Sequence, residues 1–144
     1  LKFVNRMQSL YKFMMIFAIL YSILISLFSE DILRITYGEG FSAASDALII
    51  HAWASVFVFL NNTTWTWHIS ENQQKIASIK LFCGLILNIV LNYLLIPLYG
   101  ITGAAIATIL SRAFSSYVMN LFFSNTRQLF FMMSYALILK SKKW

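Results

Sequence analysis

From Leu81 to Ser111 the chain carries no charged residue. A helix on a soluble domain needs a polar face toward water, and this stretch has none. It also exceeds the roughly 20 residues that take an α-helix across a hydrocarbon core of about 30 Å. Pro97 and Gly100 interrupt it near its middle. The pattern therefore predicts two membrane spans, 76–96 and 101–123, joined by a tight turn. Composition agrees. Of 144 residues, 60% are hydrophobic and 11% are charged, where a soluble domain carries about 25% charged residues. A disordered chain is excluded by the same numbers, because disorder needs polarity and few aromatics.

Two further apolar stretches, 13–29 and 47–67, read as spans. The segment 30–46 between them holds four of the five acidic residues together with Gly38 and Gly40. It is expected to be a loop with room for a short interfacial helix. Residues 70–75 form a polar turn. The last apolar stretch is too short to cross, so 127–144 is expected to be a cytoplasmic amphipathic tail in the membrane interface, ending in Lys140, Lys142, Lys143 and Trp144. The predicted fold is all-α, a polytopic membrane bundle of four transmembrane helices within 1–126.

Lys2, Arg6, Lys12, Lys75, Lys80, Arg127, Lys140, Lys142 and Lys143 all fall on one side of that four-span arrangement. By the positive-inside rule both termini are expected in the cytoplasm. The net charge of +6 then belongs to topology and anionic headgroups, and the expected partner is a lipid bilayer, with no nucleic acid.

Some polar residues inside spans need a reason. Arg112 lies near the middle of the fourth span, where a charge is costly and usually faces a cavity or a partner. It reads either as a cationic contact for an anionic substrate or as a structural or snorkelling side chain. Gly84, Asn88 and Asn92 are spaced four apart on one face of the third span. The two amides suit interhelical hydrogen bonds or the wall of a hydrated path. Gly103, Ala107 and Ser111, with Ala104 beside them, make a small-residue stripe that lets a neighbouring backbone approach. Pro97 and Gly100 supply the turn between spans three and four. His51, one turn beyond Asp46, reads as a proton-coupling partner or as an interfacial histidine. Trp53, Trp65, Trp67 and His68 suit interfacial belts.

Catalytic signals are lacking. Cys83 is alone in an apolar run and reads as a small buried side chain. There is no metal-ligand spacing, paired core carboxylates or phosphate-binding glycine loop. An enzyme is not expected, nor is a cofactor or a metal.

The run Asn88-Ile-Val-Leu-Asn92-Tyr-Leu-Leu-Ile-Pro97-Leu-Tyr-Gly100-Ile-Thr-Gly103-Ala104-Ala105-Ile-Ala107-Thr108 resembles a hairpin of the polysaccharide-biosynthesis flippases. These are the O-antigen translocases of the multidrug/oligosaccharidyl-lipid/polysaccharide exporter superfamily. The loop 32–41 and the turn 71–75 resemble the same family. Its members carry twelve spans in two six-helix lobes, as MATE-like transporters do. The resemblance implies that this chain matches the last four spans, a partial C-terminal lobe, and it begins with Leu1 rather than Met. It further implies an isoprenoid-pyrophosphate-linked oligosaccharide as substrate, alternating access in a bacterial inner membrane, and an N-terminal lobe as partner. Arg112 is then the foremost candidate for lining a cationic cavity, with Arg34 and Lys80 behind it. A cation-coupled drug antiporter of the same superfamily and a four-span membrane scaffold are the other readings.

Overall fold

The computed structural model describes residues 2–138. Lys140, Lys142, Lys143 and Trp144, at the end of the expected tail, lie outside the described residues. Four α-helices follow one another: α1, Lys2–Tyr37; α2, Ser45–Ser70; α3, Gln74–Ser116; and α4, Arg127–Leu137. Short 3-10 turns, Glu39–Ala44, Val118–Leu121 and Ser124–Thr126, fill the connections. No strand occurs among the described residues, and α1, α2 and α3 are long and apolar enough to cross a membrane. The all-α membrane bundle expected from the sequence is what the chain forms.

α1 is longer than the apolar window 13–29 that announced it. The segment 30–37, expected as loop, is helix. Nothing before Gly38 breaks it. Asp31 and Arg34 pair at 2.8 Å across one turn of its exposed surface, a favourable i, i+3 spacing. Gly38, at φ +89°, ends the helix as its N–H bonds to Arg34 O at 3.0 Å, the left-handed C-cap that glycine adopts without a Cβ clash.

The α2–α3 turn is closed by the backbone. Asn72, at φ +53°, takes the left-handed position that asparagine tolerates better than most residues. Gln73 N–H bonds to His68 O at 2.8 Å and Asn72 N–H to Ile69 O at 3.3 Å. Those two bonds form a Schellman motif and satisfy carbonyls at the end of α2.

α1 and α2 pack antiparallel. Met7, Tyr11, Met15 and Ala18 occupy one face of α1 and meet Val56, Leu60 and Trp67 of α2. Tyr11 and Thr64 share a buried hydroxyl–hydroxyl bond of 2.7 Å, and Ser22 Oγ donates to Ala52 O at 2.7 Å. α4 joins the same core through Leu129, Met132, Met133 and Ala136, all fully buried. The tail's apolar face thus packs on protein. Trp67 and His68 are buried too, so of the four residues expected in interfacial belts Trp53 and Trp65 are exposed. Trp67 points inward because its face of α2 meets α1, where it lies 5.6 Å from the Phe3 ring.

α3 doubles back on itself. Gly100 leaves helical geometry at φ 56°, ψ −133°, a region open to glycine and disfavoured for other residues. The arms 74–99 and 101–116 then run antiparallel, as Gly84 faces Ser115 and Asn88 faces Ser111. Most large apolar side chains of the first arm, among them Leu81, Phe82, Leu85, Ile89 and Tyr93, are exposed. Such a face suits lipid or protein within the membrane.

Candidate functional site

The two arms of α3 approach closely because small residues line their contact. A Cβ on Gly84 would meet Ser115 Cβ at 2.6 Å, and one on Gly103 would run into the Leu95 carbonyl. Ala107 and Ser111 continue this buried stripe, and Ala104 is half-buried beside it. Pro97 and Gly100 sit exposed at the turn.

Polar groups bridge the seam in sequence. Asn92 Nδ2 donates to Asn88 Oδ1 at 3.0 Å and to Asn88 O at 2.9 Å. Asn88 Nδ2 donates to Ser111 Oγ at 3.1 Å, and the Ser111 hydroxyl donates to Ala107 O. Each donor finds an acceptor, so the ladder holds the arms in register.

Beside the seam a cavity of about 250 Å³ opens, lined by Gly84, Asn88, Thr108, Ser111, Arg112 and Ser115 among others. A smaller one of about 90 Å³ adjoins it, with Trp65, His68, Lys80, Arg112, Ser115 and Ser116 in its wall. Arg112 and Ser115 border both. Arg112 itself is exposed.

Lys80, in the wall of the second cavity, is buried, 2% exposed. Its Nζ donates to Asn120 Oδ1 at 2.6 Å and lies 3.3 Å from His68 Nε2. Asn120 is fully buried, with Nδ2 donating to Ser116 O at 2.7 Å. Its own carbonyl accepts from Thr126 Oγ1 at 3.1 Å. The ion pair found among the described residues is Arg34 with Asp31, so neither Arg112 nor Lys80 has a carboxylate partner there. Two cations, several hydroxyls and the amides of Asn88 and Asn61 in the walls of these adjoining cavities make a surface suited to an anionic, hydroxyl-rich ligand.

The sequence candidates are thus partly brought together. Arg112, Asn88 and Lys80 share the cleft, and Asn92 supports Asn88 from behind. Arg34 lines neither cavity and is engaged by Asp31 on the surface of α1. His51 and Asp46 are both exposed on α2, and no ion pair joins them among the described residues. His68 and Asn120 were not anticipated as site residues. Asn120 carries the same signal that marked Asn88, a lone amide in an apolar run, whereas His68 reads from sequence as an interfacial residue.

The family model named MatE matches residues 2–94. The chain belongs to the MatE family. It is 36% identical over 89 residues to a protein of Haloferax volcanii named probable low-salt glycan biosynthesis flippase Agl15, covering 62% of this chain and 19% of that one. It is 30% identical over 88 residues to the uncharacterized membrane protein MJ1068 of Methanocaldococcus jannaschii, covering 61% of this chain and 17% of that one. The chain thus aligns with less than a fifth of either relative's length. No solved structure matches. MatE membership and the apolar helices make this a multi-pass membrane protein of a transporter family.

Proposed function

We propose that this chain forms part of a flippase that moves an isoprenoid-pyrophosphate-linked oligosaccharide, such as an O-antigen repeat unit, across the bacterial inner membrane. The observation that carries this reading is Arg112, which has no carboxylate partner among the described residues and borders both the cavity beside the arms of α3 and the one between α2 and α3. A pyrophosphate presents charge and acceptor oxygens to a guanidinium fork, and the hydroxyls and amides beside it suit a sugar. Asn88, Thr108 and Ser111 are the sugar-facing groups in this scheme, with Lys80 adding charge from beneath.

Alternating access would come from rocking of this helix group against a second lobe, which is the partner the reading requires. Both termini lie in the cytoplasm, as the Lys and Arg distribution favours. The glycan-flippase name of the Haloferax relative supports the substrate class. All five acidic residues are exposed, and a cation-coupled drug antiporter would need an acid within the bundle. That favours the flippase reading and leaves the exposed pair His51 and Asp46 as the coupling candidates.

Removal of the gene tests the function. The lipid-linked oligosaccharide is expected to accumulate on the cytoplasmic leaflet while surface glycan falls. Unchanged distribution between leaflets would contradict the proposal.

A further inference from the structure

We infer that Asn120 is a positioning residue that presents Lys80 as an uncompensated cation to the anionic ligand of the α3 cleft, and that its being an amide rather than an acid sets the site's preference for anions. The inference rests on the flippase reading above. Lys80 is 2% exposed, and the groups at its Nζ are a neutral amide oxygen at 2.6 Å and an imidazole nitrogen at 3.3 Å. Burying an ammonium without a carboxylate is unfavourable, because the lost hydration is not repaid by an opposite charge. A structural lysine would gain from an acid at position 120, and an apolar side chain at position 80 would avoid the burden. Neither arrangement is present.

The surroundings of Asn120 account for the amide. Its Nδ2 donates to Ser116 O at 2.7 Å and approaches Tyr117 O at 3.3 Å. A carboxylate there would set an oxygen against those carbonyls. The amide satisfies both sides, offering Oδ1 to the ammonium and N–H to the backbone, and leaves the charge of Lys80 intact. His68 reinforces this. An ammonium can only donate, so the Nε2 that faces Lys80 at 3.3 Å accepts, and the neutral ring then carries its proton on Nδ1. The charge therefore stays uncompensated in the wall of the cavity that Lys80 shares with Arg112, Ser115 and Ser116. In a low-dielectric site such a charge acts strongly on an incoming anion.

The test is titration of the detergent-solubilised full chain with inorganic pyrophosphate, at two salt concentrations, for the native sequence, Asn120→Asp and Lys80→Gln. Native protein is expected to bind with an affinity that falls as salt rises. Asn120→Asp, with unchanged helical circular dichroism, should bind about tenfold more weakly or worse and lose much of the salt dependence. Lys80→Gln keeps a donor for Asn120 Oδ1 and removes only the charge. It should lose affinity to a similar degree, and it decides the matter if Asn120→Asp does not fold. A merely structural role would leave the affinity of folded variants unchanged, and native-like binding by Lys80→Gln and by folded Asn120→Asp overturns the inference alone. Absence of pyrophosphate binding by the native chain would overturn the substrate reading and the inference with it.

Discussion

Ser115 stands so close to Gly84 that a side-chain carbon at position 84 would lie 2.6 Å from Ser115 Cβ. The seam between the arms of α3 therefore has no spare room at this level. Gly84→Ala should lower stability by about 1–3 kcal/mol through overpacking. Ser115→Gly in the same protein should recover part of the loss, because it removes the atom that Gly84→Ala strikes. Midpoints of SDS-induced unfolding in mixed micelles measure both, and simple addition of the two losses would contradict the contact.

Gly100 is placed at φ 56°, ψ −133° with open space around its Cα. Any loss in Gly100→Ala would therefore come from the backbone and not from a clash. A cost of about 1–3 kcal/mol is expected. Gly40, with open space and no positive φ, should accept alanine with little change, and equal effects at the two positions would refute the distinction.

The Asn88–Ser111 bond of 3.1 Å spans the two arms. A double-mutant cycle with Asn88→Ala and Ser111→Ala should give a coupling near 0.6 kcal/mol and no more than about 1.7 kcal/mol, the range found for interhelical hydrogen bonds in membranes. Zero coupling would show that the amide serves the cavity and not the seam.

Leu129, fully buried in α4, fastens that helix to the α1–α2 core. Leu129→Ala should loosen α4 before the α3 hairpin, since a cavity at such a site costs about 2–5 kcal/mol. Limited proteolysis within 118–126 should accelerate while the unfolding midpoint of the hairpin stays put. Unchanged cleavage would mean that α4 is held by other contacts.

The all-helical membrane class was legible in the sequence because charge-free runs leave few alternatives. So was the turn of α3, since Pro97 and Gly100 mark it directly. Helix ends were less legible. α1 runs on to Tyr37 because only Gly38 stops it, and a hydropathy boundary reports lipid contact, not helix termination. The cleft was half visible. Arg112, Asn88 and Lys80 stood out as polar groups in apolar runs. Their grouping depends on the fold of α3 at Gly100, which places residues 84 and 115, or 80 and 120, side by side. His68 was hidden because a histidine near a span's end looks interfacial, and only the packing of α2 against α3 turns it inward.

In the proposed function the Arg112 guanidinium receives the anionic head of a lipid-linked glycan. The most direct measurement of this role is surface glycan display in cells carrying Arg112→Ala or Arg112→Lys, with membrane levels of the protein matched. Loss of display is expected for Arg112→Ala and partial display for Arg112→Lys, which keeps the charge without the planar fork. Normal display by Arg112→Ala at matched levels would contradict it.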